Sequence, residues 1–492
     1  MARFKDCIRE QALLIPVHYS EQLLPGTLEY AIDDIVDNYI NTSMFNDRYN
    51  NDETGAKAYP PSVMLKVILL AYSKGICTSR KIQELCRTNV IFIALSGNNR
   101  PDHSTIAAFV STMRKEAAGI FSDILIRCAQ LNLVGGEVFA LDGCKISSNA
   151  AKEMSGTFKE LERKKQKLKT MCDKMMESHR HNDKTEDENL EKRLDKYRRK
   201  IDKIDAFIKS AEPKKGKRTG ENKSNITDNE SAKMLSSHGM IQGYNGLAVV
   251  DEKHQVIVNA EAFGQVAEAD FLPEIIEKSE TNMMAVDEDW SLKKVKIIAD
   301  TGYFSEKNCE FLDTRKIEGY IPDKFFRKRD PRFPADSSHR KPGKKHLYGH
   351  EKFTYNEAGN NFICPAGNIL KFDGSRNMHG HFGRRYVIKD KSCHTCYRKT
   401  ECLRKGAKVR TIFITDIPKP KTFSEAMIER IDSSHGRMMY SRRMGIVEPV
   451  FANIRYCKGM NRFTLRGKEK VNIQWLLYCC VHNIEKTLMC AA

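Results

Sequence analysis

The chain has 492 residues, a formal net charge of +18 at pH 7 and a pI near 9.1. That length supports two or three domains with a substantial core, and the basic excess favours a polyanionic partner, as it would in a ribosomal, chromatin-like or membrane-surface protein. Fifteen cysteines, odd in number and mostly scattered along a large chain, fit a reducing compartment better than a secreted disulfide framework.

Residues 1–55 read as an acidic and polar helical lead-in without the apolar core of a signal peptide. After Pro60-Pro61 the run 63–75 predicts a buried helix that stops at Gly75, and Thr78 supplies a hydroxyl cap for the next. A further helix is expected from Ser104-Thr105 through Phe109 and Met113. These short helices suit either a helix-turn-helix that reads DNA or a plain helical module packed on the rest of the chain.

Val138-Phe139-Ala140-Leu141 is a short β-type run that closes on Asp142 and the turn residue Gly143. From 151 the register changes. Leu190, Leu194, Tyr197, Ile201, Ile204 and Ile208 recur in steps of four and three, and Leu161, Leu168, Met171 and Met175 form a weaker seam before them. The pattern predicts an antiparallel helical hairpin with a polar tip at 178–189, followed by a flexible basic linker at 210–225. The sheet resumes at Gly243–Asp251 and Gln255–Ala260 with a hairpin turn between them, and a helix over Glu268–Ser279 follows. Val295–Ala299 closes on Asp300 and the turn residue Gly302, as the earlier strand closes on Asp142 and Gly143, then come a helix over Ser305–Thr314 and a last strand at Gly319–Pro322. Asp228 and Asp251 read as cap and turn residues and stay out of the catalytic set.

Residues 323–425 hold Cys364, Cys393, Cys396 and Cys402 in a Lys-, Arg- and Gly-rich stretch with few large apolar residues. Two thiolates two residues apart suit one tetrahedral zinc, so a structural Zn2+ site is the expectation, with His394 as a rival ligand and free reduced thiols as the alternative. No apolar run is long enough to span a bilayer. In YSRRMGIVEPVFANIR (440–455), Met444, Val447, Phe451 and Ile454 recur at helical spacing, with Glu448 between Arg443 and Arg455. Pro449 leaves the continuity of that helix open. An acid among cations suits a metal-and-phosphate site, whereas a solvated face with intrahelical ion pairs would look the same. Beyond it, Lys458, Arg462 and Arg466 stand in a basic loop with interleaved aromatics that could grip a DNA backbone, and Val471–Leu488 is an apolar helix suited to packing on the sheet. Two aspartates and a glutamate make the three-carboxylate set that two divalent metals need to act on a phosphodiester.

ALDGCKISSNA (140–150), IIADTGYFSEKN (297–308) and the 440–455 segment resemble the three acidic motifs of the DDE transposases of bacterial insertion sequences, in the same order. NITDNESAKMLSSHGMIQGYNGLAVVDE (225–252) is similar to that family's linking segment. Tyr440, Arg443 and Glu448 match the glutamate signature, with one extra residue between Arg443 and Glu448 and with Arg455 where lysine is usual. The resemblance implies an α/β fold: a ribonuclease H-like mixed sheet flanked by helices, with an N-terminal all-helical domain, a helical-hairpin insertion and a Cys-rich insertion. The layout expected is 1–130 for a DNA-binding helical module and 131–490 for the catalytic domain, with insertions at 151–224 and 323–425. It implies Asp142, Asp300 and Glu448 as catalytic ligands of two Mg2+ or Mn2+ ions, and Tyr440, Arg443 and Arg455 as DNA contacts. The partners implied are the terminal inverted repeats of the element and target DNA, bound by a homodimer or higher assembly, in the cytoplasm with the nucleoid and with no membrane partner. A nuclease of the same fold that never joins ends, or a domesticated DNA-binding copy, would present the same motifs.

Overall fold

A computed structural model describes residues 18–49, 51, 57–181, 188–216, 220–236, 239–330, 332, 347–378, 381–404, 406–415 and 421–490. Most of the helical lead-in's start, the tip of the helical hairpin and part of the basic linker lie outside the described residues. The chain divides into two compact units, Met1–Asp323 with Met427–Ala492, and Lys324–Ala426.

The first unit begins with six helices: α1 (Leu28–Asn38), α2 (Pro61–Ser73), α3 (Ser79–Thr88), α4 (Val90–Leu95), α5 (His103–Thr112) and α6 (Glu116–Gln130). Pro61 opens α2, where its missing N–H costs nothing, and Gly75 turns the chain away from its end at φ +72°. Asp102 caps α5 by accepting from Ser104 N at 2.8 Å, so the helix begins at His103, one residue before the expected start. Thr78 stands at the cap position of α3, but its hydroxyl makes no capping bond. These helices share their compact unit with the sheet and form no separate body.

The sheet is built from β1 (Val138–Ser147), β2 (Ala232–Ser236), β3 (Gly239–Asp251), β4 (Ile257–Phe263), β5 (Lys296–Ala299) and β6 (Glu318–Tyr320). Its order is β6-β5-β1-β3, with β2 along the first half of β3 and β4 along the second. β5 and β6 run parallel to β1 and β3 runs antiparallel to it, the mixed order of a ribonuclease H-like fold. Between β1 and β2 stand α7 (Phe158–His181) and α8 (Glu188–Ser210). Phe158 packs on Phe207 while Arg198 reaches Met176, so the two helices run antiparallel, and Leu161 and Ile204 are fully buried in their seam. The expected flexible linker is partly ordered: Lys214–Gly216 pairs with Gly220–Asn222, and Ser224-Asn225 with Ser155-Gly156.

Helices α9 (Leu272–Val286), α10 (Glu306–Thr314), α11 (Ser434–Ala452) and α12 (Lys468–Thr487) complete the unit. α12 is buried nearly all round, because it faces the N-terminal helices on one side and the sheet on the other. Trp475 donates to Leu247 O at 2.9 Å, and Asn483 brackets the Ile257 backbone with bonds of 2.9 and 2.8 Å. Towards the helices, the Tyr478 ring lies 5.1 Å from Tyr72, and its hydroxyl meets the Cys77 thiol at 2.7 Å. Asp251 and Asp228 are both buried within this framework. Asp251 accepts from the backbone of Gly135 and Gly136, and Asp228 accepts from the Tyr244 hydroxyl.

The second unit corrects an expectation. Residues 354–415 form a five-stranded antiparallel meander with an apolar core of Phe353, Phe362, Leu370, Tyr386, Ile388 and Ile412. The segment therefore buries an apolar cluster of its own, where the sequence suggested that it had too few large side chains for one. Among the described residues no helix is long and apolar enough to cross a membrane.

Candidate active site

Asp142 lies in the middle of β1, not at its end. Gly143 is not a turn residue but continues the strand: a Cβ there would stand 2.4 Å from the Leu247 side chain and 2.8 Å from that of Asn245, so the ends of those β3 side chains fill the space that glycine leaves. Pairing of β1 with β5 runs from Val138 opposite Lys296 to Leu141 opposite Ala299, where β5 stops. Asp142 and Asp300 are therefore the next residues on two adjacent parallel strands. Asp300 caps the 3-10 turn Thr301–Tyr303 through a 2.6 Å bond from Thr301 N, which fixes its direction.

Glu448 comes from α11, which runs unbroken through Pro449. Proline cannot donate to the carbonyl four residues back, Gly445 O, and the Gln255 side-chain amide takes that acceptor at 3.0 Å. The helix then relaxes into a π turn over Asn453–Cys457, beyond which the basic loop begins. Asp142, Asp300 and Glu448 all line one open cavity of about 1190 Å³, together with Glu268, Lys145 and Arg455.

The three acids sit in different electrostatic settings. Asp142 is bound by Arg443 at 2.7 Å. Burial pushes its carboxyl above the usual range, Arg443 pulls it back, and Asp300 nearby adds to the rise. Glu448 is exposed on its helix. The Tyr303 hydroxyl is buried beneath the acids with no hydrogen-bond partner among the described residues, and burial raises its pKa, with Glu268, Asp142 and Asp300 adding to the effect. Among the described residues no three acid, thiol or imidazole side chains converge closely enough to enclose an ion as they stand.

Residues 18–112 match the family model described as a transposase domain (DUF772), and residues 363–488 match the one described as a transposase DDE domain. The two matches support an insertion-sequence-type DDE transposase. A comparison with curated proteins gives no match. Transposases act on DNA, and DDE transposases generally use divalent metal ions. The DDE match contains Glu448 and the four cysteines; Asp142 and Asp300 lie outside it, and the register of the sheet is what brings them together.

The cations flanking the three acids fall into four groups. Arg455 lines the cleft with a buried Nε that has no partner among the described residues, and Tyr456 beside it is 75% exposed. Arg443 is committed to Asp142, with the Tyr440 ring 6.0 Å away, so it serves the acid rather than standing free for a phosphate. Lys458 is 1% exposed, and its ammonium is held by Glu485 and by Asn453 Oδ1 at 2.8 Å. The sequence places Lys458 on an open loop, whereas the structure turns it inward beneath Gly75. Arg462 and Arg466 are exposed but anchor the turn after β1, bonding the carbonyls of Ser148 at 3.1 Å and Asn149 at 2.8 Å.

Sequence reasoning missed Glu268 and Lys145 as cleft residues. Lys145 had no signal, because strand alternation puts a residue three positions after Asp142 on the opposite face. Glu268 had only an acid before a helix, which reads as an ordinary first-turn charge.

Proposed function

We propose that this transposase binds the ends of its insertion sequence and cuts and joins DNA there, with Asp142, Asp300 and Glu448 holding two magnesium or manganese ions. The observation that carries this reading is that acids 158 and 148 positions apart in sequence line a single cavity. The donor set fits hard divalent cations, and Asp142 already binds a positive group, the Arg443 guanidinium. When bound, such ions would polarise the scissile phosphate and lower the pKa of an attacking water or 3′-hydroxyl. The chain's own residues supply position. β1 and β5 hold two carboxylates side by side on a rigid sheet, and α11 brings the third across the cleft. Lys145 and Arg455 set positive charge along the walls for a phosphodiester backbone, and exposed Tyr456 offers a face for an unpaired base. Terminal inverted repeats and target duplex are the partners proposed, engaged by a homodimer or larger assembly at the nucleoid, with the N-terminal helices contributing DNA contacts. Incubating pre-cut element ends with a plasmid tests the reading. Joined products support it, cleavage without joining would make the protein a nuclease, and neither product with intact binding would make it a DNA-binding protein only.

For the second unit we propose a structural zinc ion on Cys364, Cys393, Cys396 and Cys402. The four thiols line one void of about 20 Å³, and exposed His394 does not. Gly367, at φ +80°, turns the chain so that Asn368 N donates to Cys364 Sγ at 3.2 Å, which fixes the direction of that sulfur. Ligation would draw the Cys393–Cys402 segment towards Cys364.

A further inference from the structure

Glu268 opens the 3-10 turn Glu268–Phe271 that leads into α9, and it lines the same cavity as the three acids of the motif set. Its position is set by one buried side chain. Asn308 donates to Ala269 O at 2.9 Å and to Tyr303 O at 2.8 Å, so a single amide ties the Glu268 turn to the turn that Asp300 caps. A Cβ built on Gly302 would lie 3.4 Å from Glu268 Oε2, which puts that carboxylate against the backbone two residues beyond Asp300. No cation among the described residues reaches Glu268 within ion-pair distance; the Asn245 side chain stands beside it with buried amide atoms that find no hydrogen-bond partner among the described residues, and Lys145 faces it at longer range.

A half-buried carboxylate beside two others is costly, since like charges and lost hydration both disfavour its ionised form. Asp142 offsets that cost through Arg443, and Glu448 does so by exposure. Glu268 has neither remedy, yet Asn308 ties its turn to the one that Asp300 caps, and its carboxylate packs against Gly302. A rigidly placed acid of this kind suits a shared cation. We infer that Glu268 is a fourth carboxylate ligand of the divalent-ion site, standing on the Asp300 side of the cleft. The inference rests on the metal-dependent reading given above and extends it to a residue outside the three motifs.

Manganese binding to the full chain without DNA, followed by electron paramagnetic resonance, separates the two claims because it needs no turnover. Glu268→Gln should weaken Mn2+ binding by about tenfold or more, and Glu268→Asp should recover part of it. The melting temperature of Glu268→Gln without metal should stay at or above that of the parent, because a like charge has been removed. A Glu268→Gln isotherm that overlays the parent's, while Asp300→Asn loses Mn2+, overturns the fourth ligand and leaves the three-acid site standing. Parental Mn2+ binding by Asp300→Asn as well would sink both. Weakened binding with a lowered metal-free melting temperature in both Glu268 variants would assign the residue to folding and likewise overturn the inference.

Discussion

The acid cleft of the first unit and the cysteine cluster of the second solve opposite problems. In the cleft, oxygen donors from three distant segments face a cavity of about 1190 Å³ that is open to solvent. In the cluster, four sulfurs from a 39-residue stretch surround about 20 Å³ inside an apolar core. Hard, exposed ligands let an ion meet a substrate and exchange, whereas soft, enclosed ligands hold an ion for good and contribute folding free energy. The donor atoms and the room around them together tell a working site from a structural one.

The largest effect expected is on catalysis. Asp300→Ala should lower DNA cleavage by about a thousandfold or more, with end binding retained, because the carboxylate places ions while basic side chains hold phosphate. A gel-based cleavage assay beside a binding assay checks this, and near-parental cutting would remove Asp300 from the site. Next comes the cluster: purified protein should carry about one equivalent of zinc, and Cys393→Ser should lose it. Protease sensitivity should then rise within Lys324–Ala426 and stay unchanged around α12. Absence of zinc by elemental analysis of chelator-free protein would end the contrast between the two regions. A smaller effect separates the two arginines of the cleft. Arg455→Ala should reduce the slope of log affinity against log salt by about one phosphate contact, and Arg443→Ala should leave that slope nearly unchanged. Arg443→Ala should instead enlarge the rise in melting temperature on adding Mn2+, since Asp142 loses its internal cation. Equal slopes for both variants would return Arg443 to the DNA surface. Smallest is Gln255→Ala, which exposes the Gly445 carbonyl to water and should cost about 0.5–1 kcal/mol in denaturant unfolding.

Much of this was legible in the sequence where local pattern and tertiary role coincide. The heptad steps from Leu190 to Ile208 became α8, and the apolar run after Pro61 became α2, because each element's burial follows its own periodicity. Glycine was read correctly at one place and wrongly at another. Gly302 does lie in a tight turn, but Gly143 continues a strand, and no neighbouring residue announces the β3 side chains that fill the space beside it. Lys458 could not be read at all, because its burial depends on Glu485 reaching it from another helix. The same holds for Glu268, whose place among the acids is fixed by Asn308, forty positions away. In the Cys-rich segment the alternation was too short and too charged to reveal five strands.

The insertion of the second unit between β6 and α11 has a temporal consequence. Glu448 follows Asp300 by 148 positions, and α12, around which the first unit closes, comes later still. At a synthesis rate of about 5–20 residues per second, roughly 7–30 s separate the appearance of the second acid from that of the third. Throughout that interval the nascent chain has a sheet edge with two carboxylates and no helix to complete them.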